Sequence, residues 1–199
     1  MKLGVLGGTF DPVHLAHLVL AERAYEQLGL DRVQWLPAGD PWRKADRVVS
    51  PTEHRLAMVR LAIRGNPVFQ VCSLELEREG ATYSVDTLVA LGQEYAGSEL
   101  VFLIGRDALE DLPNWHKPER LIQLAKLAVA FRRGEQLTPE KLERLLPGLA
   151  ARVVWIEMPR LDISGTELRL RAAAGDSLRY LVPEGVEAYI REQGLYRRE

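Results

Sequence analysis

Short apolar runs alternate with longer amphipathic segments along almost the whole chain. The apolar runs have the length of buried strands, and the amphipathic segments repeat apolar residues with helical spacing. The predicted strands are Leu3–Leu6, Arg32–Leu36, Phe69–Leu76, Leu100–Ile104, Leu127–Phe131 and Arg152–Ile156. The predicted helices are Leu15–Leu28, Thr52–Arg64, Ser84–Tyr95, Pro118–Leu124, Pro139–Leu145, Gly165–Ala174 and Pro183–Gln193.

Strands separated by helices predict an α/β fold of the Rossmann-like kind, a doubly wound parallel sheet with helices on both faces. Ligands of such sheets bind beyond the carboxyl ends of the strands, at the point where the strand order reverses. The segments that follow strands are therefore where a functional site is expected. The irregular stretch Pro37–Pro51 is the best candidate for a mobile loop over that site.

Composition narrows the class of protein without identifying it. The 199 residues are 47% hydrophobic, which suits a single domain, 1–199, with a buried core. A formal net charge of -2 gives no basic field for nucleic acid, and no apolar run approaches the roughly 18 residues of a membrane span. The single Cys72 fits a reducing compartment. We expect a cytoplasmic protein without nucleic-acid or membrane partners, and the sequence leaves its oligomeric state open.

A glycine turn followed by two histidines comes directly after the first predicted strand. The turn ends at Gly8 and Thr9, where glycine allows a ligand to approach the backbone closely. His14 and His17 lie three residues apart at the start of the helix Leu15–Leu28, so they project from one face. Free N–H groups and the positive dipole end of a helix also favour an anion there. Each feature alone is more often structural, but together they indicate a phosphate site.

This segment resembles the signature Gly-Thr-Phe-Asp-Pro-x-His-x-Gly-His of the nucleotidyltransferase superfamily, the adenylyl- and cytidylyltransferases. The resemblance implies that the histidines contact ATP phosphates and that the turn before them holds the nucleotide. The matching positions are Gly8, Thr9, Phe10, His14 and His17. Ala16 stands where the superfamily has glycine.

A second segment, from Ser164 to Arg169, opens another predicted helix. Ser164 with Glu167 three residues later is a capping box, which requires no ligand. The same segment resembles the superfamily's Ile-Ser-Ser-Thr-x-Ile-Arg signature, which implies that Ser164, Thr166 and Arg169 bind the β- and γ-phosphates of ATP. Gly165 replaces a serine of that signature. Capping and phosphate binding are compatible, and we expect both.

Two segments in the middle of the chain bear on the second substrate. Each is unremarkable alone, as a helix start and as a tryptophan on a short connection. Together they resemble the Thr-x-Tyr-Thr/Ser-x-Asp-Thr and Ile-Gly-x-Asp-x-Leu-x-x-Leu-x-x-Trp patterns of bacterial nicotinate-mononucleotide adenylyltransferases. That likeness implies that the backbone of Thr82 and Tyr83 grips the nicotinate carboxylate and that Trp115 stacks on the pyridine ring. It also implies that Gly105 and Asp107 face the adenosine.

Two basic residues match the same family less closely. Lys44 corresponds to the lysine of a Pro-Pro-His-Lys loop whose histidine is absent here. Arg132 corresponds to the arginine of an Arg-Pro-Gly turn in which Arg133 replaces the proline. Both are expected to bind the mononucleotide, and Lys44 is also expected to assist catalysis.

The implied reaction joins ATP and nicotinate mononucleotide to give deamido-NAD and pyrophosphate. The expected catalytic residues are His14, His17, Lys44 and Arg169. Mg²⁺ is expected to arrive with ATP, bridging phosphate oxygens without a dedicated protein ligand. Nicotinamide-mononucleotide and phosphopantetheine adenylyltransferases are alternatives within the superfamily. Outside it stand a non-catalytic nucleotide-binding module and a dinucleotide-dependent oxidoreductase, whose third spaced glycine is missing here.

Overall fold

The computed structural model describes residues 1–39, 49–78, 80–131 and 136–197. The strands within these ranges are β1 (Lys2–Gly8), β2 (Arg32–Pro37), β3 (Phe69–Val71), β4 (Glu99–Ile104), β5 (Lys126–Phe131) and β6 (Val153–Glu157). The helices there are α1 (Leu15–Leu28), α2 (Thr52–Ala62), α3 (Ser84–Glu94), α4 (Arg106–Glu110), α5 (Pro118–Leu124), α6 (Pro139–Leu145), α7 (Gly165–Ala174) and α8 (Glu184–Glu192). A short 3-10 helix covers Leu112–Asn114.

The strands form one parallel sheet in the order β3-β2-β1-β4-β5-β6. Strand β1 lies in the middle, with Leu6 beside Trp35 of β2 and Val5 beside Phe102 of β4. The strand order reverses between β1 and β4, which is where a doubly wound sheet opens a ligand crevice. The predicted fold class is confirmed, and the turn after β1 lies at the reversal.

The core has two layers because the sheet is covered on both faces. Along β4, Val101 and Leu103 belong to one apolar cluster, whereas Leu100, Phe102 and Ile104 belong to the other. Successive side chains of a strand point to opposite faces, so a strand buried on both sides must be apolar without interruption. This explains why the central strands appear in the sequence as continuous apolar runs.

Two differences from the predicted secondary structure exceed a shift of one or two residues at the end of an element. The strand predicted over Phe69–Leu76 pairs only over Phe69–Val71, and the chain then turns, with the Leu76 N–H donating to the Ser73 carbonyl at 2.8 Å. The segment directly after β4, where no helix was predicted, begins at once with helix α4. Its N-cap is Gly105, in extended backbone, so the capping side chain that identifies a helix start in a sequence is missing.

No helix among the described residues is long and apolar enough to cross a membrane.

Candidate active site

The turn after β1 is shaped by Phe10. Its backbone is left-handed at φ 51°, and its ring is buried, with its centroid 5.4 Å from that of Trp35. A Cβ atom at Gly8 would lie 3.0 Å from the Phe10 ring. The absence of a side chain at Gly8 therefore leaves room for the Phe10 ring. From the sequence we predicted only that it lets a ligand approach closely.

His14 and His17 stack at the start of α1, with ring centroids 3.7 Å apart and planes inclined by 25°. The backbone N–H of His14 donates to Nδ1 of His17 at 3.2 Å. Because Nδ1 accepts, a neutral His17 carries its proton on Nε2 and is a hydrogen-bond donor there. Burial lowers the pKa of His14 to about 4, so this imidazole is neutral at pH 7.

The backbone at the start of α1 differs from the prediction. We expected free N–H groups facing the crevice, but the Leu15 N–H donates to the Leu181 carbonyl at 3.0 Å and the His17 N–H donates to the His14 carbonyl at 3.0 Å. These two groups are already satisfied within the protein. The donors that this helix start could present to an anion are therefore chiefly its imidazole side chains.

Helix α7 brings the second signature to the same place. Arg169 Nη1 donates to the Asp11 carbonyl at 2.7 Å, across 158 residues of sequence, and Nη2 donates to Thr166 Oγ1 at 3.3 Å. The Ser164 hydroxyl caps the helix by accepting the Glu167 N–H at 3.2 Å. A Cβ at Gly165 would lie 3.0 Å from the Asp11 carbonyl oxygen, so the glycine that replaces a signature serine permits this close packing.

The two signatures enclose one pocket of about 140 Å³. Its lining residues are Thr9, Phe10, Asp11, Pro12, His14, His17, Val49, Gly165, Thr166 and Arg169. The side-chain donors in this set are the two imidazoles, the Arg169 guanidinium and the hydroxyls of Thr9 and Thr166, which is the chemistry that binds phosphate oxygens. The site expected from two distant segments is thus one cavity.

A second cavity of about 430 Å³ lies beyond the ends of β4 and β5 and after β6. It contains Gly105 and Asp107, the two residues expected to face adenosine. Ile163, which also lines it, lies one residue before the Ser164 cap of α7, whose first turn lines the phosphate pocket. The apolar part of the lining, Phe131 and Met158 among others, suits a purine base.

The residues expected to bind the pyridine ring form a third group. Tyr83, at the N-cap of α3, stacks on His116 with ring centroids 4.2 Å apart. Trp115, next in sequence to His116, packs edge-to-face on Phe102, and its Nε1–H donates to Asp111 at 3.3 Å. Helix α3 and the segment after β4 therefore meet here, and His116 joins the group without having been predicted. Lys44 and Arg132 lie outside the described residues.

Two buried charged residues support these loops and were also missed. Arg55 is 2% exposed, and its guanidinium donates to the carbonyls of Thr9, Ala38, Gly39 and Ser50 and to the Thr52 hydroxyl, at 2.7 to 3.1 Å. It thereby ties the turn after β1 to the chain on both sides of residues 40–48. Arg55 could have been noticed as a charge on the helical face that also carries Met58 and Val59.

Glu75 is the second buried charged residue, and it supports the segment around Thr82 as Arg55 supports the turn after β1. It accepts a hydrogen bond from the Thr87 hydroxyl at 2.9 Å and further ones from the Thr82 side chain and the Gly39 backbone. Burial raises the pKa of this carboxyl group, and these donors oppose the rise. Glu75 was missed because β3 was predicted to extend to Leu76. In a strand, a charged residue at this position is expected simply to be one of the side chains on the solvent face.

No cluster of three or more His, Cys, Asp or Glu side chains in the described parts of the chain is placed to hold a metal ion.

Comparison with known proteins gives a consistent result. Residues 5–171 match the family described as cytidylyltransferase-like. A probable nicotinate-nucleotide adenylyltransferase of Thermomicrobium roseum is 45% identical over 98% of this chain and 92% of its own length. Another with the same name, from a Roseiflexus species, is 46% identical over 98% of both chains.

Among solved structures, the nicotinic acid mononucleotide adenylyltransferase of Plasmodium falciparum complexed with NaAD superposes with a TM-score of 0.79. The superposition covers 98% of this chain and 97% of that one, at 18% identity. At that identity the likeness supports the fold alone.

Proposed function

This chain belongs to the cytidylyltransferase-like family and is related over its full length to nicotinate-nucleotide adenylyltransferases, and on that premise we propose that it transfers the adenylyl group of ATP to nicotinate mononucleotide. The products are deamido-NAD and pyrophosphate, a step of NAD biosynthesis. The observation that carries the proposal is the meeting of two phosphate signatures in one pocket, where Arg169 binds the Asp11 carbonyl at 2.7 Å.

The phosphate of nicotinate mononucleotide is the nucleophile. It is ionised at neutral pH, so the reaction requires no general base. One of its oxygens attacks the α-phosphorus of ATP, the bond from that phosphorus to the β-bridging oxygen breaks, and pyrophosphate leaves. The protein contributes alignment and stabilisation of the charge that develops on the α-phosphate and the leaving group.

Charge stabilisation is assigned to His14, His17 and Arg169, with Lys44 as a fourth contributor. His14 is neutral before ATP binds, so we assign it hydrogen-bond donation rather than a fixed positive charge. The Nε2–H of His17 is suited to the same task, because its tautomer is set by the His14 backbone. Ser164 and Thr166 complete the set on the side of the β- and γ-phosphates. ATP enters with Mg²⁺, which neutralises phosphate charge.

We assign the adenosine to the cavity beside Gly105 and Asp107. Gly8, Thr9 and Phe10 are assigned to ATP as well, and Thr9 and Phe10 line the phosphate pocket. The mononucleotide is placed against Thr82, Tyr83 and Trp115, with Lys44 and Arg132 as further ligands. Backbone N–H donors at Thr82 and Tyr83 favour a carboxylate over an amide, since an amide would present a donor to a donor. This gives the preference for the acid a physical cause.

Product analysis tests the proposal. The purified protein is incubated with MgATP and either nicotinate or nicotinamide mononucleotide, and dinucleotides and pyrophosphate are quantified. We expect deamido-NAD and pyrophosphate in equal amounts, and at least about tenfold less NAD from the amide because each misplaced donor costs about 1.4 kcal/mol or more. If neither dinucleotide forms, the proposal is wrong; if NAD predominates, the substrate is the amide.

A further inference from the structure

Asp11 places a buried carboxylate in the wall of the phosphate pocket. Its side chain is 6% exposed, and it lies among the residues that line the cavity. A negative charge beside a polyphosphate site opposes binding unless other groups compensate it. The groups that compensate the charge of Asp11 are found among its hydrogen-bond partners.

Both carboxylate oxygens of Asp11 accept hydrogen bonds from distant parts of the chain. Oδ1 accepts the hydroxyl of Tyr196 at 2.7 Å, across 185 residues, and Oδ2 accepts the backbone N–H of Ser50 at 3.2 Å. The positive charge of buried Arg55 also acts on this carboxylate. The negative charge is thus directed away from the pocket towards donors of the protein.

Tyr196 is suited to hold this carboxylate permanently. Burial, reinforced by the charge of Asp11, raises the pKa of its hydroxyl far above the usual value, so the group remains a donor at any working pH. Its ring packs against the core, and its hydroxyl lies 4.0 Å from Met58 Sδ. The residue has a left-handed backbone at φ 68°, which is uncommon for a tyrosine.

The backbone of Asp11 in turn binds the side chain of Arg169, which is proposed to bind ATP. Its carbonyl accepts Nη1 of Arg169 at 2.7 Å, while Nη2 of the same guanidinium binds Thr166. Two of the directions in which the guanidinium can donate are therefore set by Asp11 and by α7. Any shift of the Asp11 peptide would move the anchor of Arg169.

We propose that Asp11 and Tyr196 are positioning residues for ATP: the Tyr196 hydroxyl holds the Asp11 carboxylate, and the Asp11 carbonyl in turn orients the Arg169 guanidinium towards the triphosphate. This inference deepens the proposed function, since it takes ATP as the occupant of the pocket. It assigns the last turn of the chain a role in substrate binding, although Tyr196 itself touches no phosphate.

The test is Tyr196→Phe, with Tyr189→Phe as the matched control. Each change removes one tyrosine hydroxyl from the C-terminal region. The Tyr189 hydroxyl is hydrogen-bonded to His54 Nδ1 at 2.9 Å, and neither residue lines the pocket. MgATP binding is measured by calorimetry, followed by KM for each substrate and kcat. We expect Tyr196→Phe to weaken ATP binding about tenfold, the usual worth of a hydrogen bond to a charged group, and to lower kcat. KM for the mononucleotide should stay within twofold, and Tyr189→Phe should leave every ATP parameter unchanged.

A second variant, Asp11→Asn, keeps the volume and removes the charge that Tyr196 binds. We expect ATP affinity to fall, but by less than in Tyr196→Phe, because this change also removes a negative charge from the pocket wall. Circular dichroism reports whether each variant is folded. Equal ATP affinity in Tyr196→Phe and wild type, or an equal loss in Tyr189→Phe, overturns the inference. If Tyr196→Phe does not fold, the result of Asp11→Asn decides, and normal ATP affinity in that variant overturns the inference. Wild type that binds ATP but makes no dinucleotide would refute the proposed function and leave this inference intact, because the binding measurement needs no turnover.

Discussion

The two helices that begin at the phosphate pocket, α1 and α7, start in opposite ways. At α1 the N-cap is His14, the first N–H groups are used inside the protein, and the first turn contributes His17. At α7 a serine caps the helix and Glu167 stands in the first turn. A helix start is therefore not an anion site by itself. Here α1 offers side-chain donors, whereas α7 offers a capped turn from which Arg169 projects.

Because the two helix starts differ, substitutions in them should affect turnover and the free energy of unfolding to different extents. At α1 the His17 ring accepts the His14 backbone N–H, but Nδ1 of His14 is buried and has no hydrogen-bond partner among the residues that the structure describes. The Ser164 hydroxyl, by contrast, satisfies a backbone N–H of the helix it begins. We expect substitution of His17 at α1 mainly to reduce turnover, and substitution of the α7 cap to reduce stability and weaken ATP binding together.

The largest effect is expected for His17→Ala. Removing one preorganised donor from developing charge lowers kcat by about 100- to 1,000-fold in other enzymes, and we expect a loss of that size, measured by steady-state pyrophosphate release. His54→Ala is the matched control, because its ring binds Tyr189 and lies outside the pocket lining. A His17→Ala enzyme within threefold of wild-type kcat would remove His17 from the mechanism.

A smaller effect, on stability, is expected at His14. Its pKa in the folded protein is about 4, below the ordinary value of 6.5, so the unfolded chain binds a proton more readily. The contribution of neutral His14 is complete above about pH 6.5 and is lost as the pH falls towards 4, by up to about 3 kcal/mol. Urea unfolding at several pH values should show wild type losing stability relative to His14→Asn over that window. Parallel pH profiles of the two proteins would contradict the burial of a neutral imidazole.

Local signals were sufficient to predict most of the fold. Helices α1, α5, α6 and α7 have the predicted bounds, because glycines such as Gly29 and caps such as Ser164 and Thr138 mark their ends. Strand β3 was predicted too long because alternation cannot tell a paired strand from an extended segment that turns away from the sheet edge. Helix α4 has no side-chain cap to mark its start.

The candidate site divides along similar lines. Residues in the two signatures could be found because each signature is contiguous, and the fold then placed both at one pocket. The partners of Arg55, Glu75 and Tyr196 could not be found, because long-range packing sets them: Tyr196 and Asp11 are separated by 185 residues of sequence. A sequence shows which groups can bind phosphate, but it does not show which buried groups hold them in place.

The smallest effect, and the sharpest test of the contrast between α1 and α7, is expected for Ser164→Ala. Its control is Thr138→Ala, because the Thr138 hydroxyl accepts the Lys141 N–H at 3.4 Å as the cap of α6, a helix that contributes no residue to the pocket lining, whereas α7 contributes Gly165, Thr166 and Arg169. Each variant should lose about 1 kcal/mol of unfolding free energy, measured by urea denaturation, because each loses a cap.

The Ser164 hydroxyl accepts from Glu167 through a lone pair, so its proton stays available to a phosphate oxygen. We therefore expect Ser164→Ala alone to raise KM for ATP, by about threefold, which is roughly 0.7 kcal/mol. If both variants lose stability and neither changes KM, Ser164 is a cap only, and the anion chemistry of α7 belongs to Thr166 and Arg169.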